Sequence, residues 1–274
     1  MIEAAMLAEA RDILKAAGID DPVREARLLW QATFPRRFVE YEAAMAGGRV
    51  TDFKALVSRR AAREPISHLT GRRDFYEHRF DVTPDVLDPR PDTETLVIAA
   101  LEIPFERVLD LGTGSGCILL SLLAARKGAT GLGTDLSDAA LRVARGNFHS
   151  LELAVEDRAT FQRSDWFEAV EGTFDLIVSN PPYIALDEMD GLGPELAYEP
   201  RMALTDEGNG LAAYREITAG VAGHLRQGGW LMVEIGPTQG GAVIALFEAA
   251  GLEQVEIRVD LDGRDRVVVG KKPL

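Results

Sequence analysis

The chain has 274 residues, 46% of them hydrophobic and 27% charged, enough for one large domain with a smaller appendage or for two ordinary domains that fold without staples. Its single cysteine, Cys117, excludes an internal disulfide, the histidines at 68, 78, 149 and 224 are too scattered for a zinc site, and no apolar run approaches the roughly 20 residues that span a bilayer. The net charge of −14 is uneven, because residues 1–72 hold 12 basic against 10 acidic residues and the remainder holds 18 against 34, so the C-terminal part repels a phosphate polyanion unless its bases are locally concentrated.

Residues 1–14 have acids at Glu3 and Glu9 and no basic start before an apolar core, so they read as a helix rather than a secretion signal. A cytoplasmic, metal-free protein is expected. Met6, Ala10, Ile13, Leu14 and Ala17 recur at helical spacing, with Gly18 as the stop. Asp21-Pro22 is a cap followed by proline at the first helical position, and Thr51-Asp52 is expected to open a further helix carrying Phe53, Leu56 and Val57. Residues 1–72 therefore read as a helical bundle. Short alternating segments between 75 and 88 suggest a hairpin linker over 73–90, and residues 91–274 form the remaining domain. There the expected strands are 108–111, 131–134, 159–162, 174–178 and 230–235, with a last pair, 255–259 and 267–269, around the turn Asp262-Gly263. Helices are expected at 117–125 and at 139–147, the latter capped by Ser137 or Asp138. Such alternation implies a mainly parallel sheet covered on both faces, with an antiparallel edge. There is no internal repeat.

Asp110-Leu111-Gly112-Thr113-Gly114-Ser115-Gly116 carries a strand through a glycine-rich turn into a helix, whose first N–H groups are unpaired. A tight turn or a dinucleotide site would give the same pattern. Asp110 suits a cationic amino group better than a pyrophosphate, and Asp135 ends the next strand where a ribose diol is held, which favours S-adenosylmethionine over NAD. Asp165-Trp166 follows the third strand, where the indole either stacks on adenine or packs in the core.

The strand at 174–178 delivers Asn180-Pro181-Pro182-Tyr183 to the carboxyl edge of the sheet. An amide NH2 is a poor nucleophile, so its methylation needs acceptors that fix both N–H bonds while the nitrogen gains sp3 character. The Asn180 side-chain oxygen and the Pro181 carbonyl are those acceptors, the prolines stiffen them, and Tyr183 covers the flat face of the substrate. The catalytic candidates are thus Asn180, Pro181 and Tyr183.

The chain resembles the HemK-type release-factor glutamine methyltransferases. The resemblance runs through Glu64-Pro65-Ile66, Leu69-Thr70-Gly71, Phe75-Tyr76, Val86-Leu87, Pro89-Arg90-Pro91-Asp92-Thr93-Glu94, the Asp110 loop, residues 180–184, Glu199-Pro200 and Ala203-Leu204. It implies an N-terminal helical substrate-docking domain, a hairpin linker and a class I, Rossmann-like methyltransferase domain with a seven-stranded sheet. It also implies transfer of methyl from S-adenosylmethionine to N5 of the glutamine in the Gly-Gly-Gln loop of peptide-chain release factors. Cofactor contacts are implied at Asp110, Leu111, Gly112, Thr113, Gly114, Asp135, Trp166 and Asn180, with the glutamine held by Asn180, Pro181, Pro182 and Tyr183. Asp92 stands where the family usually has Glu, Asp88 where an apolar residue is usual, and 205–210 has few glycines. The competing readings are an adenine-N6 DNA or RNA methyltransferase and a non-catalytic nucleotide sensor. The missing Lys/Arg block opposes the first, so no nucleic acid or membrane is expected to be required, and the intact Asn180 motif opposes the second.

Overall fold

The computed structural model describes residues 2–34, 48–151 and 156–274, which divide into two compact units. Residues 35–47 of the expected helical bundle lie outside the described part.

The first unit comprises residues 1–72 together with 193–198. Its helices are α1 (Ile2–Ala16), α2 (Pro22–Thr33), α3 (Arg49–Ala61) and the short α4 (Ile66–Thr70). Asp21 caps α2 as expected, its carboxylate accepting from Arg24 N at 3.0 Å. Helix α3 starts two residues earlier than Thr51-Asp52 predicts, because Gly48 takes the left-handed conformation at the helix entry and no side chain caps it. Met6, Leu14, Leu29, Phe53 and Val57 form the core. The buried Arg60 is paired with Glu25 and lies 3.4 Å from Glu195, which also holds Arg63 at 2.9 Å. Tyr198 Oη donates to the Ala62 carbonyl at 2.9 Å. The 193–198 segment is thereby fixed to the helices.

The second unit begins with the hairpin β1 (Arg72–Phe75) and β2 (His78–Asp81), whose first residue is the last of the first unit. Then follow α5 (Glu94–Leu101), β3 (Arg107–Leu111), α6 (Cys117–Ala125), β4 (Thr130–Asp135), α7 (Asp138–Ser150), β5 (Ala159–Arg163) and β6 (Phe174–Ser179). The unit closes with α8 (Ala212–His224), β7 (Leu225–Glu234), α9 (Gly240–Ala249), β8 (Glu253–Val259) and β9 (Asp265–Lys271). Helices α8 and α9 lie between the expected strands, in stretches to which the residue pattern assigns no element. Strand β7 also starts five residues before the expected 230, passing an irregularity at the glycine pair 228–229.

Seven strands pair in the order β5-β4-β3-β6-β7-β9-β8, parallel through β7 and antiparallel across β9 and β8, as the pattern predicts. Alternate residues sort the core into two layers, as strand geometry requires. Val108, Leu176, Val178, Val267 and Val269 pack with α5 and α6, while Leu109, Leu111, Ile177 and Val268 pack with α8 and α9. Strand β8 is an exposed edge bearing Glu253, Glu256 and Arg258, with register shifts near both ends and a left-handed Gln254. Ser137 is the cap of α7, accepting from Ala140 N at 3.1 Å. Among the described residues no helix is long and apolar enough to cross a membrane.

Candidate active site

Strand β3 is flanked by β4 and β6, so the chain leaves its carboxyl end in opposite directions on the two sides and a crevice opens there. A cavity of about 480 Å³ occupies it. Of the expected site residues, Gly112, Thr113, Gly114, Asp135, Trp166, Asn180 and Pro182 line this cavity. Asp110, Leu111, Pro181 and Tyr183 do not: Asp110 and Leu111 are completely buried under the loop, Pro181 is buried, and Tyr183 is half-buried behind the cavity wall.

The glycine loop is pinned from three sides. Thr113 N donates to the Thr134 carbonyl at 2.8 Å, and Gly114 N to Asp135 Oδ2 at 2.9 Å. Asn147, buried on α7, donates to the carbonyls of Ser115 and Asp81, both at 2.9 Å, and accepts from Asp81 N, tying the loop to the β1–β2 hairpin. Gly116 is required where it stands: its φ is +80°, and an added Cβ would lie 3.3 Å from Ala144 Cβ on α7.

Two carboxylates, Asp110 and Asp135, set the electrostatics around the loop. Thr113 Oγ1 donates to Asp110 Oδ2 at 2.6 Å, while Oδ1 is buried without a hydrogen-bond partner. Burial pushes the Asp110 carboxyl up to about 7, against the Thr113 hydrogen bond and with help from the charge of Asp135. Asp135 is also raised by burial, although it accepts from the amides of Ser137 and Gly114. A buried, unpartnered carboxylate oxygen calls for a cation. The arginines on the opposite wall are already engaged, Arg90 with Glu199 at 2.7 Å and Arg201 with Glu207 through two hydrogen bonds. The cavity therefore fits a cationic nucleoside such as S-adenosylmethionine and opposes a pyrophosphate. Trp166 lines it with φ +43°, a conformation unfavourable for a bulky residue and held by Ser164 Oγ, which donates to its carbonyl.

The motif after β6 is held by residues that the sequence reading does not single out. Asn180 Nδ2 donates to Thr93 Oγ1 at 3.1 Å, which makes Oδ1 the acceptor end of that amide. The Tyr183 carbonyl accepts from Gln239 Nε2 at 2.9 Å, and Tyr183 Oη lies 3.4 Å from Glu234 Oε1. The Tyr183 ring packs on the α8–α9 side of the core. Glu234 is completely buried at the end of β7, and burial pushes its carboxyl up to about 7, while the charge of Arg266 pulls it down. Ile184 N donates to the Leu204 carbonyl at 2.9 Å, and Asp206 accepts from the amides of Gly208, Gly210 and Ala212, so one carboxylate shapes the glycine-poor 205–210 loop. The other unusual residues are also accounted for. Asp92 pairs with the buried Arg266 at 3.1 Å, and Asp88 sits buried beside Arg73 and Arg90. Thr93 lies within the Pro89 to Glu94 run read from the sequence. Glu234 carries the same signal as Asp110 and Asp135, an acid at the end of a buried strand. Among the described residues no group of His, Cys, Asp and Glu could hold a metal ion.

Residues 89–218 match the methyltransferase small domain family and residues 5–71 the PrmC N-terminal domain family. A methyltransferase from Pyrococcus furiosus shares the fold, with a TM-score of 0.52 at 18% identity over 82% of this chain and 100% of that one. The release factor glutamine methyltransferase of Cereibacter sphaeroides is 50% identical over 95% of both chains, and that of Rhodospirillum rubrum is 45% identical over 94% of this chain and 82% of its own. With the glycine loop, the acidic cavity and the Asn180 motif on one sheet edge, these likenesses establish that the chain belongs to the release factor glutamine methyltransferase family of S-adenosylmethionine-dependent enzymes.

Proposed function

We propose that this chain methylates N5 of the glutamine in the Gly-Gly-Gln loop of peptide-chain release factors, with Asn180 and the Pro181 carbonyl as the two acceptors that hold the amide NH2. The observation that carries this is the orientation of the Asn180 amide: its Nδ2 donates to Thr93, and the residue lines the cavity. When bound, S-adenosylmethionine supplies an electrophilic methyl group on a sulfonium. Asp135 is suited to hold its ribose, Trp166 its adenine, and the Gly112 to Gly114 backbone with Asp110 beneath is suited to its charged end.

The chain's own work is positioning. Two fixed acceptors orient both N–H bonds, so the nitrogen lone pair faces the cofactor side and the nitrogen becomes tetrahedral without losing its partners. No strong base is needed beforehand, because the methylated nitrogen is acidic and releases one proton to solvent. Tyr183, lying off the cavity wall, serves to anchor the loop through Gln239 and Glu234 rather than to cover the substrate. The helical domain at 1–72 is assigned the docking of the release factor. No nucleic acid is required on this reading, and the pairing of Arg90 and Arg201 with acids supports it. The test is mass spectrometry of a release factor after incubation with enzyme and cofactor. One added methyl on the glutamine of its Gly-Gly-Gln peptide is expected; methylation of an adenine-containing hairpin in place of that peptide would overturn the assignment.

A further inference from the structure

We infer that the Arg90–Glu199 ion pair is a clasp at the cofactor cavity: it ties residues 200–207 to residues 85–93, and its release lets S-adenosylmethionine enter and the demethylated product leave. Glu199 is on this reading a positioning residue for cofactor exchange. The inference rests on the assignment of the cavity to the cofactor.

Two segments far apart in the chain line the cavity. One contributes Val86, Leu87 and Arg90, and the other, which follows Glu199, contributes Arg201, Met202 and Thr205. The first is anchored to the body of the domain. Val82 and Val86 are buried with Ala140 of α7, and the Pro89 carbonyl accepts from Arg73 Nε at 2.9 Å. The second is stiff in itself. Pro200 restricts its entry, and the Arg201 carbonyl accepts from the amides of Leu204 at 3.0 Å and Thr205 at 3.2 Å. One end of this stiff segment is held at Ile184, through the Leu204 carbonyl. The other end is held by Glu199, whose carboxylate accepts from Arg90 Nη2 at 2.7 Å, 109 positions away in sequence. A rigid piece fixed at two points swings about one when the other lets go. Glu199 does not itself line the cavity, so whatever it does to a ligand passes through this segment.

The surroundings of the pair favour a contact that can open. Glu199 and Asp88 are both buried, and Asp88 lies 3.9 Å from Arg90 and 3.5 Å from Arg73. Each acid keeps one oxygen, Glu199 Oε2 and Asp88 Oδ1, buried without a hydrogen-bond partner. A buried ion pair repays its desolvation only when the remaining lone pairs are also satisfied. Closed, the cluster leaves two acceptors dry; opened, water reaches them. Charge attraction thus favours the clasped form and hydration the released one, which suits exchange better than permanence. Lid opening of this kind sets the rate of product release in many enzymes.

The test is stopped-flow binding of S-adenosylmethionine to the full-length protein, followed by tryptophan fluorescence, since Trp166 lines the cavity. Glu199→Gln keeps the shape of the side chain and removes its charge. Its association and dissociation rates should both rise by about 10-fold, because a charge-assisted hydrogen bond is roughly twice as strong as a neutral one. The dissociation constant should change less than either rate, and single-turnover transfer at saturating cofactor should stay near that of the wild type. A pair that only stabilised the fold would lower the thermal midpoint and leave both rates unchanged, and that result would overturn the inference. Should Glu199→Gln fail to fold, Arg90→Lys and Arg90→Met answer the same question, since lysine keeps the charge that methionine lacks. Faster association and dissociation in the methionine variant than in the lysine variant supports the clasp. Equal rates in the two, or a rise in dissociation alone, which would mean that Arg90 grips the cofactor directly, overturns it. Asp135→Ala run beside them separates the two levels: unchanged affinity in it removes the cavity assignment, whereas weakened affinity in it with normal exchange in Glu199→Gln removes only the clasp.

Discussion

Asp135 Oδ2 accepts a hydrogen bond from Gly114 N at 2.9 Å, so the carboxylate suited to grip a ribose also fixes the loop beside it. The other oxygen accepts from Ser137 N at 2.9 Å, and each oxygen keeps a lone pair for a ligand hydroxyl. Asp135→Ala is therefore expected to weaken S-adenosylmethionine by about 1.5–3 kcal/mol for each charge-assisted bond lost. Titration calorimetry reads this directly. Asp135→Asn, which keeps one acceptor, should fall between the two, and unchanged affinity in the alanine variant would remove the ribose assignment.

Cofactor affinity should depend on pH through Asp110. Its carboxyl, raised by burial to about 7, is largely neutral at pH 6 and increasingly charged by pH 7.5, and only the charged form attracts a ligand cation. The dissociation constant should fall across that interval, and Asp110→Asn should bind weakly with a flat profile. The same linkage fixes the sign for stability. A carboxyl raised above its unfolded value favours the native state while protonated, so the ligand-free protein should lose stability as pH rises from about 4 to 7. Thermal midpoints with and without cofactor check both statements.

Asn180→Ala deletes one of two preorganised acceptors, and the loss in turnover is expected to be about 100- to 1,000-fold. Asn180→Asp retains an acceptor but brings a charge to the cavity wall and removes the donor to Thr93, and it should also be impaired. If Asn180 only capped its loop, both variants would melt earlier while the folded fraction turned over normally. Thermal midpoint measured beside single-turnover methylation distinguishes the cases.

Gly210 backs onto the reaction motif. Its φ is +72°, and an added Cβ would lie 2.2 Å from the Tyr183 carbonyl oxygen, which is also the acceptor for Gln239. Gly210→Ala should destabilise the protein by about 1–3 kcal/mol and displace the loop that carries Asn180, reducing transfer with little change in cofactor affinity. Chemical denaturation and calorimetry check this; full activity with an unchanged midpoint would show that the loop is not under this constraint.

The parts legible in the sequence are those whose cause is local. A strand, three glycines and a helix identify the loop at Asp110 to Gly116, and Asn180-Pro181-Pro182-Tyr183 states its chemistry within four residues. What supports them is distant in the chain. Thr93 reaches Asn180 across 87 positions, Asn147 reaches Asp81 across 66, and Gln239 reaches Tyr183 across 56. Periodicity carries no trace of such pairs. The role assigned to Tyr183 from sequence assumed that its ring faces the crevice, whereas the turn after the two prolines sends it toward the α8–α9 core. Helices α8 and α9 escaped for another reason: both are rich in Ala and Gly, and their buried large residues are few, Tyr214, Ile217 and Val221 in α8 and Val243 and Phe247 in α9.

The antiparallel edge has a consequence for the protein in concentrated solution. An open sheet ends in unpaired N–H and C=O groups, and a long flat apolar edge recruits strands from other molecules. Here β8 offers Glu253, Glu256 and Arg258 outward, and its register breaks near both ends. An incoming strand would meet charge and a backbone that cannot stay in step for more than a few residues. Intermolecular sheet growth is thus opposed at this edge, while the crevice lies at the parallel centre of the sheet around β3.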